Sequence, residues 1–295
     1  MKHIKKHARF VLVSCSLLFI LALVSCKPGS EVASAEETGI GQIREGQYID
    51  QIRSIASQSS CASYSWKGRG KAPSGYIQGM ALTYARSYCR LKTNDSSPKT
   101  LVSILSGAAG SSTTDALGLY ISTFSNLAMD VTSAGGDNLR YLYTLGTGLG
   151  MRESSGKYCE GRDMSSSNTT ALTAEAGMFQ TSYDSMTATS DLSKLYAEYL
   201  ADTSKCFLDI FKLGISCSAS DLSVAGTGAG ATYQAFNKSC PAFAAEYAMV
   251  MLRVRRNHYG PINRKEAEVT TTCNQMLAKV ESVIDSDIYA CDEII

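Results

Sequence analysis

Apolar residues recur three and four positions apart along most of the chain. Ile77, Met80, Ala81, Tyr84 and Tyr88 share one face of a helix, and Leu117, Ile121, Phe124, Ala128 and Val131 share another. Leu192, Leu195, Tyr196, Tyr199 and Leu200 form a third stripe. Pro241 suits a first helical turn, and the face behind it holds Phe243, Tyr247, Val250, Met251 and Val254 until Gly260-Pro261 stops it. Asn263 with Glu266 approaches a capping box and predicts a last helix through Cys273, Leu277, Val280 and Ile284. Leu139, Leu142, Gly146, Leu149 and Glu153 make a further stripe, whose final member is a carboxylate. Gly, Ser and Pro mark loops at Ser65–Gly75 and Thr93–Lys99. Alternating apolar runs are scarce and no repeat is visible. The expected class is mainly α.

The chain start departs from this pattern. Lys2, Lys5, Lys6 and Arg9 precede the apolar run Phe10–Val24. Charged, then apolar, then small residues read as an export signal, too short for an ordinary membrane span. Leu23-Val24-Ser25-Cys26 resembles a bacterial lipobox, which implies residues 1–25 as leader and lipid on Cys26. Lys27 behind the cysteine implies outer-membrane rather than inner-membrane retention. Residues 26–38 are small, polar and acidic, as a flexible tether would be. Residues 39–295 then form one domain with a helical N-terminal extension. An exported protein is expected, in the periplasm, at the outer membrane or secreted.

Hydrophobic residues make up 44% of the chain, enough for a substantial core. Removing the four leader charges from 28 basic residues leaves 24 against 27 acidic, about −3, which argues against nucleic-acid binding. Ten cysteines are present, of which Cys15 leaves with the leader and Cys26 takes lipid. The remaining eight, Cys61, Cys89, Cys159, Cys206, Cys217, Cys240, Cys273 and Cys291, imply disulfides in an exported chain. Their connectivity is open among 105 pairings. With no CxxC and His258 as the one mature histidine, neither a metal nor another cofactor is expected.

Glu153 carries the candidate chemistry. A carboxyl at the edge of an apolar face is partly desolvated, its pKa rises, and it becomes a proton donor near neutral pH. The bland reading is a helix-end residue paired with Arg152 or Arg162. Ser154 is a poor nucleophile candidate, since there is no GxSxG and His258 is far along the chain, so hydrogen bonding near Glu153 suits it better. His258 reads as a helix-end cap, and Gly226–Gly230 as a flexible turn, because no Lys-Ser/Thr follows. The 16 tyrosines are mostly expected in the core.

Arg152–Gly156, "RESSG", followed by Glu175–Ser185, "EAGMFQTSYDS", resembles the superfamily of goose-type lysozymes and lytic transglycosylases. There a helix-end Glu-Ser precedes a Gly-apolar-apolar-Gln segment lining the cleft, and Gly177-Met178-Phe179-Gln180 stands in that place. The motifs cover roughly Leu139–Ser185. Gly228–Gln234 stands where the family has a Tyr-Asn turn, with Tyr233-Gln234 here instead. The resemblance implies a lysozyme-like helical fold, Glu153 as general acid, and a monomer acting on peptidoglycan or a related aminosugar glycan. It implies Asp163 and Asp184 as catalytic carboxylate candidates, with Glu175 a third. It implies sugar contacts from Ser154, Glu175, Gln180, Tyr183 and Tyr233. The link between Glu153 and Gln180 is longer than usual and carries Cys159, so a disulfide there would pin the loop beside the acid. Four acids in that link, Glu160, Asp163, Glu175 and Asp184, favour a glycan bearing free amines. Hydrolysis with inversion is the leading expectation. Transglycosylation, which needs no base, is the alternative, and a non-catalytic glycan-binding lipoprotein is a third reading.

Overall fold

A computed structural model describes residues 46–93, 99–163 and 167–295; the side chains of residues 99 and 100 are not among them. The leader, the tether and Cys26 lie outside the described residues. Ile43–Ile295 form one compact unit. It is mainly helical and holds four disulfides.

Three helices cross at the centre. Ser74–Thr93 is buried continuously from Gly75 to Arg90. It packs against Gly136–Ser154 and Pro241–Val254, and also against Gln47–Gln58 and Thr271–Ser286. The 241–254 helix is buried on every side, from Pro241 to Leu252. An apolar helix with no polar face belongs in the middle of the core, not at its edge. Its one carboxylate, Glu246, accepts from Ser87 (2.8 Å) and Tyr199 (2.7 Å) and faces Arg90 at 3.3 Å. Burial works against its charge, yet Arg90 and Arg86, with both hydroxyls, hold the carboxyl below its usual range.

The 136–154 helix is drawn close to its neighbours by glycine. A Cβ on Gly146 would meet Met249 Cε at 2.2 Å, and one on Gly148 would meet the Glu268 carbonyl oxygen at 2.0 Å. Helix propensity is given up here for contact distance.

Several elements depart from the periodic reading. The stripe Leu117–Val131 is two short helices, Ala116–Leu119 and Ile121–Asn126, and Ala128 has a left-handed φ of 57°. Ser, Thr and Asn in this stretch are weak helix formers, and Ile121 points outward, 43% exposed. The last long helix starts at Thr271, whose amide turn is capped by Thr270, and not at Asn263. Glu266 is pulled to Arg152 and Arg264 in place of a capping role. The loop Ser65–Gly75 contains a minimal hairpin, Ser65–Trp66 paired antiparallel with Gly70–Lys71. Gly260-Pro261 opens the short helix Gly260–Asn263, six residues beyond the end of the preceding long helix.

The eight cysteines pair as Cys61–Cys273, Cys89–Cys291, Cys159–Cys217 and Cys206–Cys240. The first two tie residues 61 and 89 to the helices that hold Cys273 and Cys291. The third anchors the segment just beyond Glu153.

Candidate active site

The 136–154 helix ends abruptly. Gly156 donates its amide to the Gly150 carbonyl (3.1 Å) and Ser155 to that of Met151 (3.0 Å), with both residues at positive φ. The two bonds close the last turn as the chain leaves the helix through left-handed residues, and they hold Glu153 in that turn. Ser154 is buried; its hydroxyl donates to the carbonyls of Gly150 (3.1 Å) and Met178 (2.9 Å). The helix end is thereby bolted to the downstream Gly-Met-Phe-Gln segment.

That segment is a closed turn. Ala176 and Thr181 exchange backbone hydrogen bonds (3.1 and 3.3 Å), and Gly177 at φ 74° and Gln180 at φ 46° carry the chain around between them. Met178 and Phe179 plug into the core. A Cβ on Gly177 would lie 1.9 Å from Asn237 Oδ1, so only glycine fits. Asn237 and Tyr233 reach this turn through Thr181. The Gln180 side chain is buried, donating its amide to the carbonyls of Gly161 (3.1 Å) and Gly177 (2.9 Å).

Glu175 precedes the bridge at Ala176, and its charge reaches Glu153. Burial raises the Glu153 carboxyl to about 7, and the Glu175 charge adds to the rise; Arg264, Arg69 and Arg152 pull it back. Burial raises Glu175 as well, then Asp163 and Asp184 do, against a hydrogen bond from Asn168. Two desolvated carboxyls that repel each other favour the state with one proton between them. Tyr259 stands by both. It is 1% exposed, both carboxylates act on its phenol, and its hydroxyl has no hydrogen-bond partner among the described residues.

Behind Glu175 lies a cavity of about 170 Å³, lined by Asn168, Thr173, Ser182, Asp184, Arg255 and His258 among others. His258 Nε2 donates to the Gln180 carbonyl (3.3 Å), and burial lowers the imidazole's pKa. The long helix stops at Val254, so His258 braces the turn and does not cap that helix.

The site residues expected from sequence therefore divide. Glu153 and Glu175 are coupled through their charges. Asp163 and Asp184 are exposed and act on Glu175, with Ser182 donating to Asp184 at 2.6 Å. Ser154 and Gln180 spend their polar atoms inside the protein. Tyr183 is half-buried, edge-on to Tyr233 at 6.0 Å. Tyr233 is a correction: it lies inside the helix Ala229–Ser239, not in a turn, and is fully buried, so it supports the loop and meets no ligand. Tyr259, Arg69 and Arg264 carried no sequence signal toward the site, because chain separations near 100 residues are closed only by the fold. No family model, curated protein or solved structure matches the chain.

Proposed function

We propose that this protein is an exported lipoprotein, anchored through Cys26, that cleaves β-1,4 glycosidic bonds in peptidoglycan as a lysozyme-like hydrolase. The observation that carries the reading is Glu153, a helix-end carboxyl whose burial raises it to about 7 beside a second carboxylate. At neutral pH it is a proton donor of matched strength. Glu153 protonates the glycosidic oxygen as the bond from that oxygen to the anomeric carbon breaks. Glu175 takes the role first given to Asp163 and Asp184: it removes a proton from the water whose oxygen attacks the anomeric carbon. An inverting pair needs its carboxyls roughly 6.5–9.5 Å apart. The Tyr259 hydroxyl, buried within reach of both charges and with its donor unspent, is available to the carboxylate that is charged as substrate binds.

Sacculi digested with the mature chain test this. Reducing-end muropeptides of inverted anomeric form are expected, and Glu153→Gln should abolish them. Products lighter by one water would replace hydrolysis with transglycosylation. No products, with binding retained, would leave a glycan-binding protein. The acids Glu175, Asp163 and Asp184 on one side of the site support a preference for strands bearing free amines. Equal rates on acetylated and deacetylated strands would remove that preference.

A further inference from the structure

The other side of Glu153 is basic. The hairpin tip at Lys67–Gly70 projects here because Trp66 is buried beneath it, 2% exposed, with Tyr64 edge-on at 4.8 Å. Gly68 and Gly70 at positive φ make the turn, and Glu268 fixes its base by accepting from the Lys67 amide (2.7 Å) and the Tyr64 hydroxyl (3.1 Å). From the tip, the Arg69 guanidinium donates to the carbonyl of Arg152, the residue before Glu153. Arg152 (3.0 Å) and Arg264 (2.8 Å) share one carboxylate, Glu266. Lys67, Arg69 and Lys265 are exposed and form no ion pair among the described residues. Glu160, the other acid whose charge meets that of Arg69, is itself paired with Lys157 at 3.8 Å.

Lys67, Arg69, Arg152, Arg264 and Lys265 against Glu266 and Glu268 leave an excess of positive charge beside the last turn of the helix. The three arginines act against the protonated form of Glu153. A site that needs that proton gains nothing from them unless they have an anion to hold. Arg264 spends one edge of its guanidinium on Glu266 (2.8 and 3.1 Å) and Arg69 one nitrogen on the Arg152 carbonyl, so the donors left facing solvent are their remaining N–H groups and the ammonium groups of Lys67 and Lys265, which suit a carboxylate.

We infer that Lys67, Arg69, Arg264 and Lys265 form a subsite for the carboxylate groups that hang from a peptidoglycan strand, an inference that rests on the peptidoglycan reading above. A strand seated there lies between a cationic bank and the acidic bank of Glu175, which sets its direction across Glu153. Its carboxylate also screens the arginines, so Glu153 keeps its proton better with the strand bound than without it.

Binding, not turnover, is the direct test. The mature Glu153→Gln chain is titrated with four soluble probes: peptide-bearing strands, strands stripped of peptides by an amidase, and each of these with its carboxyls capped as methylamides. Capping should weaken binding at least tenfold. Arg69→Gln with Arg264→Gln should weaken uncapped strands severalfold, leave capped ones unchanged, and lessen the salt dependence, since Lys67 and Lys265 remain. An effect on peptide-bearing strands assigns the stem-peptide carboxylates, because the lactyl carboxyl is there tied up in its amide, and an effect confined to stripped strands assigns the lactyl carboxylate that the amidase frees. Capped and uncapped strands binding equally, or a double variant that loses affinity equally for both, overturns the subsite alone. Failure to bind any strand overturns it together with the peptidoglycan reading. Both arginines are surface residues, and an unchanged melting temperature verifies that the variant folds.

Discussion

Glu153 costs the protein stability, and the cost has a pH signature. The folded chain keeps this proton between pH 4.5 and about 7, where the unfolded chain releases it. More protons bound in the native state mean that stability falls as pH rises through that window. Below pH 4 the penalty is absent, and above pH 7 it is complete, of order 2–3 kcal/mol from the shift. Glu153→Gln should therefore stabilise the protein at pH 8 by up to about 2 kcal/mol, raising the melting temperature by roughly 4–8 °C, and do little at pH 4. Melting curves at the two pH values check this; equal effects at both would place Glu153 in an ordinary solvated setting. Tyr259 behaves the same way for another reason. Its buried hydroxyl is unpartnered, so Tyr259→Phe should leave stability unchanged or improved while lowering kcat about tenfold. A kcat equal to that of the parent would remove the hydroxyl from the chemistry.

Among the elements, the loop between the Glu153 helix and Ser190 decides whether a site exists at all. It has little regular structure, so its shape depends on side-chain ties: Ser154 to Met178, Gln180 to Gly161, Tyr233 to Thr181, and Cys159–Cys217. The disulfide closes a loop of sequence separation 58, for which chain entropy gives about 4 kcal/mol. Replacing both cysteines by alanine should cost about 3–4 kcal/mol in denaturant unfolding and open residues 157–175 to proteolysis before the rest of the chain. Simultaneous digestion of the whole domain would contradict that local role. The long helices were legible in the sequence because each keeps an apolar stripe over three turns or more. The Leu139–Glu153 stripe is the clearest case, and it fixed where the acid would sit. The hairpin was not legible, since two-residue strands leave no alternation to read. The false start at Asn263 had a different origin: the local signal was real, but Arg152 and Arg264 compete for Glu266. Glu175 was visible only as one of several acids, because its approach to Glu153 depends on the tight turn at Gly177.

At the scale of the whole molecule, a rigid helical core supports one strained and charged edge. Three central helices, with Glu246 clamped among Arg86, Arg90 and two hydroxyls, fix the orientation of the 136–154 helix. Cys61–Cys273 and Cys89–Cys291 lock the C-terminal helices onto that core. The edge then holds a protonated acid between basic and acidic banks, an arrangement only a stable scaffold sustains. The most direct measurement is the rate at which the mature chain releases soluble fragments from sacculi between pH 5 and 9, for the parent and for Glu153→Gln. The account predicts a rate that falls as pH rises through about 7, where Glu153 gives up its proton, and a Glu153→Gln rate at the level of the blank. A Glu153→Gln chain that solubilises sacculi as fast as the parent would contradict it.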